Sequence, residues 1–316
     1  MRNSSSTLEF LPTRFILVGI PGLEAEHIWI SIPFCLMYMI IFLGNGTILH
    51  VIRTDTALHQ PMYLFLAMLA LAEVGVSAST LPTVIGVFLF GITEISFNAC
   101  LLQMFSIHSF SIMESAVLLA MSVDRFVAIY NPLRYTAILT MPRIFGMAST
   151  VTARSFITLF PLPFLIQRLP ICRSNVLSHS DCLHPDMMKL ACADITINIV
   201  YGLFVLISTF GMDLLFIFLS YVLILRSVMA IASHGERLKA LNTCVSHILA
   251  VLAFYVPMIG VSMVHRFGKN HVPCFIHVLL SNIYLFVPPV LNPLIYSAKT
   301  KEIRQAIICM FHRIKV

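Results

Sequence analysis

Residues 244–270 read CVSHILAVLAFYVPMIGVSMVHRFGKN. From Cys244 to Val264 there is no Asp, Glu, Lys or Arg, and the stretch then closes on His265, Arg266 and Lys269. A helix needs about 20 apolar residues to cross the hydrocarbon core of a bilayer. The stretch therefore reads as a membrane helix with a polar, cationic end. Six more runs meet the same length, placing the seven at 27–52, 61–87, 97–130, 142–167, 196–226, 237–265 and 273–297. The whole chain agrees: of 316 residues, 59% are hydrophobic and 11% charged, and the mean hydropathy is +0.92. So few charges cannot cover the surface of a soluble domain. The expected fold is an all-α membrane protein, a seven-helix bundle. It would comprise an N-terminal segment 1–26, a helical domain 27–297 and a tail 298–316.

Basic residues set the expected orientation. One set of loops carries Arg53, Arg125, Arg134, Arg143, Arg226, Arg237, Lys239, Lys299, Lys301, Arg304, Arg313 and Lys315. The other carries Arg2, Arg14, Arg168, Arg173, Lys189, Arg266 and Lys269. Cytoplasmic loops are enriched in Lys and Arg, so the C-terminus is expected inside and the N-terminus outside. The sequon at Asn3 suits an outside N-terminus as a glycosylation site. The head "MRNSSSTLEFLPTRF" lacks the charged start and short apolar core of a cleavable signal, so the first membrane helix is expected to direct insertion. The tail "KTKEIRQAIICMFHRI" sets Ile303, Ala306, Ile307 and Met310 along one side. It reads as a short amphipathic helix lying on anionic membrane lipid.

Cys100, Cys172, Cys182 and Cys192 fall on the expected outer, oxidising face and suggest two disulfides, for which the sequence alone allows three pairings. Cys35, Cys244 and Cys309 read as free thiols.

Ionisable groups at bilayer depth are costly and mark either a functional site or a structural network. Here they are Glu73, Glu114, Asp213, His108, His247 and Arg154. Glu73 and Glu114 must be protonated, share a proton or hold a cation, for which sodium suits their hard oxygens. The plainer alternative is one protonated acid bonded to Ser77, Ser115 or Asn292. Arg154 reads as a structural tether with no partner nameable from sequence. His108 lies eight residues beyond Cys100, about 12 Å along the helix. Ser262 is one turn from Arg266 on the same face, and Met258, Ile259 and Tyr255 continue that face inward. A polar rim above an apolar floor is the usual composition of a small-molecule pocket. In that reading Arg266 captures an anion, its forked guanidinium matching a carboxylate. In the plainer one it snorkels to lipid headgroups, and His108 is satisfied by a neighbouring helix. Leu159, Leu162 and Leu206 are candidates for setting pocket length.

Enzyme readings find no support. There is no zinc-spaced His/Cys cluster, no phosphate loop, no nucleophile elbow and no lysine inside the seventh span for a Schiff base.

At "MSVDRFVAIYNPLRY" the chain resembles a rhodopsin-like G-protein-coupled receptor, and more closely an odorant receptor. "GNGT", "PMYLFLAMLALAE", "KALNTCVSHILAV" and "PPVLNPLIYSAKTKEIR" resemble the signatures of the family's first, second, sixth and seventh helices. "FILVGIPGLE" and "VHRFG" resemble the class I, fish-like receptors of the family 51 kind. The resemblance implies bridges Cys100–Cys182 and Cys172–Cys192. It also implies G-protein engagement through Arg125 of the Asp124-Arg125-Phe126 motif, with Tyr221, His247 and Tyr296 rearranging around it. Tyr255 would sense ligand, Pro257 would supply the helix kink, and Glu73 and Glu114 would occupy the family's cation site. Three departures stand out: Glu73 for an aspartate, Phe126 for a tyrosine and Tyr130 for a cysteine. The partners implied are a small odorant, a stimulatory olfactory G protein that raises cyclic AMP, and membrane lipid, with no nucleic acid and no covalent catalysis. A receptor for a metabolite or hormone outside the nose is the alternative. A secondary transporter is a weaker one, because paired repeats and broken helices are not visible.

Overall fold

The computed structural model describes residues 13–172, 174–231, 233–267 and 272–314. Asn3 lies outside them. The long helices are α1 (His27–Thr54), α2 (Pro61–Phe90), α3 (Phe97–Tyr130) and α4 (Met141–Leu159, resuming as Pro161–Gln167). They continue with α5 (Thr196–Met229), α6 (His234–Phe267), α7 (Cys274–Lys299) and α8 (Lys301–Ile314). Six of these are long and apolar enough to cross a membrane. The 34-residue α3 carries more polar side chains and passes among them, burying residues from Cys100 to Asp124.

Local chemistry sets the helix ends. Proline occupies the first turn of α2, where its missing N–H costs nothing. Gly91, at φ 65°, closes that helix in the left-handed region. The Ser96 side chain accepts a bond from the Ala99 N–H and caps α3. In α7, Pro293 leaves the Pro289 carbonyl without its helical donor. The Asn45 amide of α1 donates to that carbonyl at 3.3 Å. Beside it a side chain on Gly44 would meet Pro293 at 2.9 Å, so α1 leans directly on the α7 kink.

The exterior is apolar. Trp29, Leu43, Phe145, Ile157, Phe218 and Val256 are all more than 60% exposed, the inverse of a soluble surface and the match to lipid tails. Aqueous exposure of these side chains together would be untenable, so they face the bilayer.

One end of the bundle carries a feature that composition does not reveal, a small three-stranded sheet. Strand β1 (Arg14–Leu17) lies between β2 (Glu94–Ser96), with which it is antiparallel, and β3 (Val176–Leu177), with which it is parallel. Strand β1 alternates, burying Phe15 and Leu17 in a cluster with Cys100, Leu159 and Cys182. The same end holds both disulfides, Cys100–Cys182 and Cys172–Cys192, with Cα separations of 5.5 and 5.9 Å. They pin the loop between α4 and α5 to α3 and to itself. Cys35, Cys244 and Cys309 are free.

Candidate functional site

At the disulfide end, α3 to α7 and the α4–α5 loop enclose a cavity of about 520 Å³. Leu159, Leu162, Leu206, Phe210 and Met258 supply apolar wall, while His108, Ser111 and Ser262 supply polar atoms. That volume falls in the range of small-molecule sites, which are apolar with a few convergent polar groups. Of the residues expected to contact ligand, His108, Leu159, Leu162, Leu206 and Ser262 line it.

Two expectations come out differently, and a third is untested. Ile259 is 41% exposed and does not line the cavity. On α6 the lining positions are Met258, Val261, Ser262 and His265, spaced i, i+3, i+4, i+7, and 100° per residue carries Ile259 round toward lipid. Tyr255 is buried but lies a turn below Met258, outside the lining. Arg266 belongs to the last turn of α6, and its side chain lies outside the described residues.

Below the cavity floor a polar chain links four helices. The Tyr255 and Ser115 hydroxyls are 2.7 Å apart, and Ser115 donates to Asp213 at 2.8 Å. Asp213 receives both Arg154 nitrogens, at 2.8 and 3.0 Å. Sequence reasoning found each of these residues but not the connection, because α3, α4, α5 and α6 each supply one. Gln103 was missed altogether. Its amide donates to the Ser79 carbonyl and the Thr83 hydroxyl, both at 2.8 Å, and its carbonyl accepts the Cys182 N–H at 2.9 Å. It fastens the loop and α2 to α3.

The loop wall itself is charged and buried. Burial pushes the His184 imidazole down to about 3, so His184 stays neutral. Burial raises Asp181 to about 6. Asp186 differs: burial would raise it, but the charges of His179, Lys189 and His265 offset this and hold it below the usual carboxylate range.

The family model described as "Olfactory receptor" matches residues 34–314. The chain is 70% identical to human Olfactory receptor 51I2 over 96% of this chain and 97% of that protein. It is 59% identical to human Olfactory receptor 51I1, over 96% of each. The chain belongs to the olfactory receptor family. The fold is that of squid rhodopsin, with TM-score 0.74 at 20% identity, over 94% of this chain and 87% of that one. The protein is therefore a multi-pass membrane receptor, built to bind a ligand and not to catalyse a reaction.

At the opposite end of the receptor, the His247 Nε2–H donates to the Leu118 carbonyl at 3.0 Å. That leaves Nδ1 as the acceptor for the Tyr221 hydroxyl at 2.6 Å. Asp124 accepts from the Tyr135 hydroxyl at 2.7 Å. The Tyr296 hydroxyl is buried without a hydrogen-bond partner.

Between the two ends, the Asn292 amide donates to Glu73 Oε1. Among the described residues, Glu73 Oε2, Glu114 Oε1 and the Ser77 hydroxyl are buried without partners. Unsatisfied oxygens from two carboxyls and a hydroxyl fit a small hard cation such as sodium.

Proposed function

We propose that the receptor detects small acidic aliphatic odorants and answers by activating the stimulatory olfactory G protein, raising cyclic AMP. The observation that carries this reading is the 520 Å³ cavity, apolar on its leucine side and polar at His108 and Ser262. On helical spacing Arg266 follows one turn beyond Ser262. An acid's alkyl chain would lie against Leu159, Leu162 and Leu206, with its carboxylate toward Ser262, Arg266 and His108.

In this reading the N-terminus and the disulfide end face outward, and the tail, with α8, rests on the inner leaflet. Ligand binding shifts a two-state equilibrium by no more than the ligand's preference for the active bundle. Drawing the outer end of α6 toward α3 strains the Tyr255–Ser115 contact just below the cavity. The inner end then pivots about Pro257, opens the Tyr221–His247–Leu118 bonding and uncovers Arg125 for the G protein. Glu73, Glu114 and Ser77 would hold sodium in the resting bundle, a positive charge that balances one ionised carboxylate while the other carboxyl keeps its proton, and that braces α2 against α3.

The test is a cyclic AMP reporter assay in cells expressing the olfactory G protein, with aliphatic acids of graded length beside their alcohols and esters. Responses to acids alone, lost in Arg266→Ala, are expected, since breaking a buried charge-assisted bond costs about 2–5 kcal/mol. Equal responses to alcohols that survive Arg266→Ala would remove the anion reading and leave Arg266 as an interfacial anchor.

A further inference from the structure

His179, Asp186 and His265 are far apart in sequence, yet their ligand-capable atoms all lie within 4.8 Å of one another. His179 and Asp186 come from the α4–α5 loop and His265 from the last turn of α6. The three side chains are only 4%, 7% and 6% exposed. His179 Nδ1 is 3.2 Å from Asp186 Oδ2, and His265 Nδ1 is 3.9 Å from Asp186 Oδ1. Proximity has not produced satisfaction: both His179 nitrogens, Asp186 Oδ2 and His265 Nε2 are buried with no hydrogen-bond partner among the described residues. Buried polar atoms are ordinarily paired, so a cluster of unpaired ones needs an explanation.

We propose that His179, Asp186 and His265 form a site for a zinc-like divalent transition-metal ion, which clasps the α4–α5 loop to the end of α6. Two imidazoles and a carboxylate suit zinc in a three-ligand site with a fourth position left to water or a ligand, and are too nitrogen-rich for calcium or magnesium. Among the described residues, the charged or titratable groups near the site are Lys189, His277 and the buried Asp181. The Lys189 ammonium donates to Asp186 Oδ1 at 2.8 Å and lies 3.4 Å from His265 Nδ1. The His277 ring centre is 5.4 Å from that of His265. Lys189 thus supplies the positive charge Asp186 needs when no metal is bound. Its side chain is 40% exposed, so it can swing into solvent when an ion takes its place. His265 and Lys189 also line the cavity, so the ion would sit in the cavity wall and fix the helix end that carries Arg266.

The experiment titrates the purified full-length receptor in nanodiscs with Zn²⁺ by calorimetry and with Co²⁺ by its visible absorption, with no odorant present. One saturable ion per receptor is expected, with tetrahedral cobalt bands. Losing a ligand should weaken binding by tenfold or more in both His179→Ala and Asp186→Asn, at least the effect of losing an outer-shell partner. Lys189→Ala removes the competing cation and should tighten binding several-fold, an outcome that misfolding cannot produce. Absence of saturable binding, or binding indifferent to all three substitutions and thus confined to surface histidines, overturns the proposal.

Discussion

Arg154 and Asp213 meet in a bidentate ion pair, Nη1 to Oδ1 at 2.8 Å and Nη2 to Oδ2 at 3.0 Å, that joins α4 to α5 within the bundle. Two parallel charge-assisted bonds fix geometry as well as energy. The Asp213 side chain is 2% exposed and that of Arg154 is 31%. Removing one partner leaves the other's charge stranded in low dielectric. Arg154→Met is therefore expected to destabilise the receptor by about 3 kcal/mol, the lower end for a buried pair because Arg154 is partly exposed. The double variant Arg154→Met/Asp213→Leu should recover much of that loss in the Tm of purified receptor. Strictly additive losses would mean that the pair is uncoupled.

The Tyr255–Ser115 contact joins α6 to α3 between the cavity and Asp213. Tyr255→Phe removes it while keeping the ring against Phe254. A neutral hydrogen bond contributes about 1 kcal/mol, so if the bond holds the resting state, ligand-free signalling should rise roughly fivefold at equal surface expression. An unchanged basal signal would mean the contact is equally made in both states.

Gly75 lets α2 and α3 approach closely. A Cβ there would meet the Phe110 ring at 2.6 Å. Gly75→Ala should cost about 1–3 kcal/mol through overpacking, visible as a lower Tm, with Phe110→Leu restoring part of it. A Tm equal to that of the unaltered receptor would show that Phe110 has room to turn aside.

His184 predicts a pH dependence. Burial depresses its folded-state value from 6.5 to about 3, whereas the unfolded chain takes up a proton near the ordinary value. Its contribution to stability is complete above pH 6.5 and is lost as pH falls from there toward 3. His184→Gln, which cannot titrate, should flatten the decline in Tm over that window. Asp181 acts in the opposite sense: raised to about 6, its ionisation opposes folding as pH rises from about 4 to 6. An identical pH profile in His184→Gln would show that His184 is not the titrating group.

The bundle was legible in the sequence because bilayer crossing is a local constraint: a span must be long and apolar over its own residues. Hence the run from Cys244 to Val264 announces α6, and the expected span 97–130 coincides with Phe97–Tyr130. Of the expected cavity residues, Ser262 was legible because helical spacing sets it on one face with Met258, and His108 because the rise per residue gives its depth beyond Cys100. Ile259 shows the limit of that argument, since the width of a helix face facing the cavity is set by its neighbours. The bridges Cys100–Cys182 and Cys172–Cys192, together one of the three pairings open to the residues alone, came from family resemblance and are formed in the fold.

Tertiary structure alone decided which polar groups meet. The partner of Arg154, the reach of Gln103 across two helices and the loop, the β1 strand between β2 and β3, and the gathering of His179, Asp186 and His265 all join segments distant in the chain. A buried polar group must find a partner, and sequence states the need. Which group answers it depends on the rotation and tilt of whole helices, fixed by packing summed over the bundle and by no single stretch of the chain.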